Sequence, residues 1–203
     1  MNQLFSRDTT STYLYQAIHN LNVAADRLSP EALDGKNDDE IIDDLVTFLG
    51  PRPVMLRRDQ EHIDGPEQVQ IDVGNNFGYA PTFGGGPRLV LGARFTLVVP
   101  FDGSPELLDL RPSTYTLVVP SADVVGTSLR FTVEETTPDA ARIRGRFDGM
   151  VQAVQQWIGN VNADVARDLD GWRRQAVARI AAQRTRLVSF RLAGEGLRGA
   201  PNV

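Results

Sequence analysis

Apolar side chains recur at steps of three and four at Leu14, Ala17, Ile18, Leu21, Ala25 and Leu28, behind a run of capping residues at Asp8-Thr9-Thr10-Ser11. That spacing predicts an amphipathic helix closing before Pro30. A second, shorter helix carries Ile41, Ile42, Leu45, Phe48 and Leu49. It opens on Asn37-Asp38-Asp39-Glu40, whose charges suit a helix start, and Gly50-Pro51 stops it. From Pro53 to Glu135 the pattern changes to short β-branched and aromatic runs punctuated by glycine and proline, as in an antiparallel sheet. The expected strands are Pro53–Leu56 at an edge, Val69–Val73, Arg88–Pro100, Ser113–Val119 and Leu129–Glu134, with a hairpin turning at Gly126.

From Asp139 the period is helical again. Ile143, Phe147, Met150, Val154, Trp157, Val161, Val165, Leu169, Trp172, Ala176 and Ile180 form one stripe, with Thr136-Thr137-Pro138 as its start signal. A stripe of this kind is a core seam or a coiled-coil contact rather than a cofactor site. Fifty-odd residues in one helix would span about 80 Å at 1.5 Å each, against about 40 Å across for a compact chain of this size. The helix must therefore break, project or pair with another copy. Asp168–Gly171 is the expected break, because Asp170-Gly171 is a turn signal, and Gly159-Asn160 is the alternative.

Composition adds mainly exclusions. With 203 residues, 41% hydrophobic and 23% charged, the chain can bury a proper core and is neither disordered nor fibrous. It has no cysteine, which removes disulfides, iron–sulfur clusters, thiolate zinc sites and cysteine nucleophiles, and His19 and His62 are its only imidazoles. His19 reads as a helix-flank residue. His62 sits among Asp59, Glu61 and Asp64 with no nucleophile assignable to it. C-x-x-C, H-E-x-x-H, G-x-S-x-G and P-loop motifs are missing. The acidic cluster Asp38, Asp39, Asp43 and Asp44 lacks calcium-loop spacing and reads as a solvated, dipole-matched helix face. No metal, cofactor or catalytic residue is assigned. No apolar run approaches the roughly 20 residues of a bilayer span and Met1–Asn22 lacks a signal-peptide pattern, so the expected location is cytoplasmic, with no membrane partner.

Charge changes the picture more. The formal charge of −5 conceals a C-terminal part, residues 137–203, at +5 (eleven arginines, six acids) and a remainder at −10. Only one of the 21 basic residues is lysine, Lys36, a bias that a GC-rich genome would produce. Arg173, Arg174, Arg179, Arg184, Arg186 and Arg191 accumulate with no acid between Gly171 and Gly194. They suit a helix C-terminus, and they are also the candidate surface for an anionic partner, though they spread around the helix rather than forming one stripe. The second candidate is the glycine-dense loop 74–87, with Phe77, Tyr79 and Phe83 as its aromatic contacts; it lacks the lysine and hydroxyl of a phosphate cradle.

The run from Val98 to Leu117, with Pro100-Phe101-Asp102-Gly103 and Arg111-Pro112-Ser113-Thr114-Tyr115-Thr116-Leu117 at its heart, resembles an uncharacterised bacterial N-terminal module of about two hundred residues. That module shows a P-F-x-G turn, a short leucine segment and R-P-S-x-[FY]-x-L. The stretch Arg173–Ile180 is similar to its basic terminal helix, and the likeness covers roughly residues 90 to 190. The resemblance implies a region placed ahead of a restriction-endonuclease-like or other effector, consistent with bacterial defence. It carries no catalytic residues over, and the glycine-rich loop and the missing effector are departures from it.

The expectation is a single α+β domain over residues 1–193. It comprises a helix pair over 8–50, an antiparallel sheet of about five strands over 53–136 and a long broken helical element over 137–192, with 194–203 a tail or linker. The function expected first is a non-catalytic interaction or sensing module of a larger bacterial protein, with a protein partner or self-association through the long helix. Nucleic-acid or nucleotide binding through the arginine-bearing helix is the alternative, and a small carboxylate-dependent hydrolase the second alternative.

Overall fold

A computed structural model of the chain describes residues 2–33, 35–74, 88–115 and 118–198. Helix α1 (Thr10–Asp26) starts where Thr9 Oγ1 accepts the Thr12 N–H. A single turn, α2 (Pro30–Leu33), follows. Helix α3 (Asp38–Leu49) opens on a capping box in which the Asn37 side chain takes the Glu40 N–H and Glu40 returns to the Asn37 N–H. The expected helix pair therefore has a third, one-turn member between its two helices.

The strands are β1 (Asn2–Gln3), β2 (Asp8–Thr9), β3 (Met55–Leu56), β4 (His62–Asp72), β5 (Leu89–Asp102), β6 (Leu110–Arg111), β7 (Ser121–Val125) and β8 (Ser128–Glu135). Six of them form a curled antiparallel sheet in the order β1-β7-β8-β5, with β4 and β3 sharing the far side of β5. β2 and β6 make a small parallel ladder of their own. Gly126 turns the β7–β8 hairpin at φ +59°, as expected. Ser113–Val119 holds no strand among its described residues, because the Ser113 N–H and hydroxyl are both taken by Asp164 rather than by a ladder.

Helix α4 (Ala140–Arg198) is one unbroken element of 59 residues, about 88 Å long at 1.5 Å per residue. The breaks expected at Asp168–Gly171 and Gly159-Asn160 are not there, and residues 194–198 of the expected tail are helical. The reason is burial on both sides of the turn signal. Leu169 and Trp172 face the core, Trp172 is 1% exposed, and its Nε1 donates to Asn22 Oδ1 at 2.9 Å. Burying such side chains stabilises by about 2–3 kcal/mol each, which outweighs the roughly 1 kcal/mol that a helical glycine costs.

α4 is the spine of the fold. Its first half lays Phe147, Val151, Val154 and Trp157 in the core that the sheet completes with Leu97, Val99, Leu129, Phe131 and Val133. Its second half carries Val165, Trp172, Ala176 and Ile180 along α1 and α3, which answer with Leu14, Leu21, Ile41 and Ile42. No helix of the described residues is long and apolar enough to cross a membrane.

Candidate functional site

Three side chains on α4 hold the surrounding segments to it. Asp164, 3% exposed, accepts the Thr10 hydroxyl at 2.7 Å, the Ser113 N–H at 2.7 Å and the Ser113 hydroxyl at 2.6 Å, with Arg167 Nη1 at 3.1 Å. Burial pushes its pKa upward, but the hydrogen bonds from Ser113 and Thr10 and the Arg167 charge outweigh that and hold it below the ordinary range. Asn162 meets the Val54 backbone twice, accepting its N–H at 3.0 Å and donating to its carbonyl at 2.8 Å. Trp157 stacks on Phe5 at 5.3 Å between centroids, with Tyr115 at 6.0 Å, and Arg111 lies over the Tyr115 ring. The Arg111-Pro112-Ser113 stretch is thus a clamp on α4.

The six arginines singled out on α4 divide by what they touch. Arg173 donates to Asp43 at 2.7 Å and Arg179 to Asp26 at 3.2 Å. Arg184 donates to Asp38 and to the carbonyls of Leu33 and Lys36, at 2.7–3.0 Å. These three tie α4 to the N-terminal helices, and Asp38 and Asp43 of the acidic cluster are their counter-charges. Arg174 is exposed, Arg186 lies over the Phe190 ring at 5.4 Å, and Arg191 is exposed on the last turns of α4. Phe77, Tyr79 and Phe83 lie outside the described residues.

Past Arg184 the helix leaves the body. Leu187 still packs on the core, but Val188, Phe190 and Leu192 are 54%, 61% and 62% exposed. Continuing the core-facing stripe from Ile180 in steps of three and four gives Gln183, Leu187, Phe190 and Gly194. The seam that buries α4 therefore runs on without a partner among the described residues.

On the sheet face that carries Arg94, Thr96, Arg130 and Thr132, the curl makes an open basin of about 690 Å³ that Arg146 of α4 also lines. Thr96 and Thr132 are directly paired across β5 and β8 on its floor, with Arg94 and Glu134 two residues along and Arg130 two residues the other way. Arg94 donates to Glu134 at 2.8 Å and lies 3.6 Å from Glu67, and both carboxylates raise its pKa, Glu134 the more. Three acids, Glu67, Asp123 and Glu134, thus line this basin. Glu67 and Glu134 share the one guanidinium of Arg94, and Asp123 accepts the Asn2 N–H. Among the described residues, no group of three or more His, Asp or Glu is arranged to hold a metal ion. His62 is exposed, 3.7 Å from Asp64.

Sequence reasoning missed Asp164, Asn162 and the basin, since each depends on residues dozens of positions or more apart in the chain. Comparisons with protein-family models, with curated proteins and with solved structures found no match.

Proposed function

We propose that this chain is a non-catalytic interaction module that pairs with a second copy of itself through the free end of α4. The observation that carries the reading is exposed apolar surface on a helix that has left its own body: Val188 and Leu192 one turn apart on one face, and Phe190 beyond Leu187 on another. Large apolar side chains left in water at the end of a rigid element are what an interface would cover. A role in bacterial defence ahead of a separate effector rests on the sequence resemblance alone. The nucleic-acid alternative draws less support, since Arg173, Arg179 and Arg184 are committed within the fold.

Sedimentation of the intact protein tests the proposal. The expected result is a concentration-dependent dimer that Phe190→Asp with Leu192→Asp converts to a monomer of unchanged melting temperature. An intact protein that stays monomeric at concentrations of about 100 µM, well above the micromolar range of ordinary association, overturns it.

A further inference from the structure

The sheet reaches further than the helix that covers it. β8 ends at Glu135, opposite Ala93, so beyond that row β5 pairs with β4 alone among the described residues, and Gln70–Asp72 with Leu89–Leu91 make a two-stranded ribbon. Strand side chains alternate between faces, so Leu89 and Leu91 belong with Leu97 and Val99 to the face that packs in the core. α4 begins at Ala140 and leaves these two leucines uncovered, 53% and 63% exposed. Beside them lies an open groove of about 320 Å³ with Pro66, Gln68, Leu91, Ala93, Thr136 and Pro138 in its walls and no charged side chain.

A two-stranded ribbon is marginally stable in water unless a helix packs on it. The far end of α4 has the converse defect, since Val188 and Leu192 form an apolar row on a helix with no sheet beneath it. The two rows match in pitch: Val188 and Leu192 stand about 6 Å apart along the helix axis, and Leu89 and Leu91 about 7 Å apart along the strand. Charge does not oppose the match. Directly opposite the leucines are Asp72 and Gln70, while Arg88 and Arg94 alternate with the leucines and so belong to the other face. Arg142 and Arg146, at the start of α4, are both paired with Glu135. The helix end brings Arg191, with no acid before Glu195.

We propose that two copies pair by exchanging ends: the Val188–Leu192 face of α4 in one copy lies across Leu89 and Leu91 of the other, and a two-fold axis repeats the contact. The inference rests on the pairing proposed above and names the surface that receives the helix. A single copy cannot make the contact with itself, because Ala140 and Leu192 stand about 80 Å apart on one continuous helix. Covering the four side chains removes on the order of 100 Å² each from water. Apolar atoms make up a little over half of an interface, so one contact amounts to roughly 700 Å² in total, the size of an incidental contact, and two to roughly 1,400 Å², within the range of stable complexes. Size therefore favours the reciprocal exchange over a single docking.

The chain has no cysteine, so introduced thiols report the contact directly. The full-length variants Leu91→Cys and Leu192→Cys, one of them labelled with heavy nitrogen so that the products differ in mass, are mixed, oxidised and weighed. Random collision makes the mixed disulfide about half of the cross-linked material. A share well above half is expected, and half or less overturns the proposal. A product joined mainly through position 192 of both copies removes this inference while leaving the pairing of helix ends in place, whereas an intact protein that stays monomeric in sedimentation removes both. A second variant, Leu89→Asp with Leu91→Asp, changes side chains that already face water. It should abolish the dimer without lowering the melting temperature, and a dimer that survives it overturns the proposal.

Discussion

At the scale of single residues, the buried carboxylate of Asp164 has the most to say about stability. Thr10, Ser113 and Arg167 all point at it, so replacing it by asparagine puts an amide donor where one of these donors now sits. Asp164→Asn is expected to cost about 2–3 kcal/mol, read by denaturant unfolding at pH 7. The pH dependence has a definite sign. Asp164 is held below the ordinary value of 3.8, so its contribution is complete above that pH and is lost as the pH falls through the folded-state value. The stability gap between the native protein and the variant should therefore narrow on acidification from pH 7 to about 3; a gap that stays constant or widens would show that the charge is not what holds the segments. Two glycines make a second contrast. Gly103 has φ +107°, and a Cβ there would lie 2.2 Å from the Pro53 carbonyl oxygen, so Gly103→Ala should cost more than about 2 kcal/mol. Gly126 has φ +59° and open space, so Gly126→Asn should cost less than about 1 kcal/mol in the same assay.

Among the elements, the helices and the core of the sheet were legible because their signals are local. Capping at Thr9 and Asn37, the stop at Gly50, the hairpin at Gly126 and the apolar stripe of α4 are all written within a few residues of where they act. Ser113–Val119 was misread because the β-propensity of its residues was outweighed by a partner fifty positions away. The break near Gly171 was misread for a related reason: turn chemistry is local, but whether it acts depends on what the flanking side chains bury. The continuity of α4 can be tested directly. Gly145, Gly159 and Gly171 lie in its interior with space for a methyl group. Replacing each by alanine should raise stability by about 0.5–1 kcal/mol, close to additively because the sites are well separated. A triple variant no more stable than the native protein would mean that the helix is not continuous through these positions in solution.

For the molecule as a whole, the split of charge along the sequence becomes a means of assembly. The acid-rich N-terminal helices and the arginine-rich end of α4 lie against each other, so the sequence halves of opposite sign are one electrostatic pair: Arg173 with Asp43, Arg179 with Asp26, Arg184 with Asp38. Most of these pairs are half-exposed and contribute little singly. Arg184 differs because it also satisfies two backbone carbonyls. Arg184→Ala should cost about 1–2 kcal/mol and release amide exchange over Asp38–Leu49, whereas Arg191→Ala should do neither. The sequence by itself determined the class of fold, the two longer N-terminal helices, the long strand that became β5 and the apolar stripe of α4, because these follow from periodicities of two and 3.6 residues that need no knowledge of distant neighbours. Only the tertiary structure decided that α4 stays whole, that the arginines are divided between internal ties and free surface, and that the sheet runs on past the start of α4 with Leu89 and Leu91 uncovered. Each of these depends on free energy contributed by groups far apart in the chain, and no local pattern encodes which groups will meet.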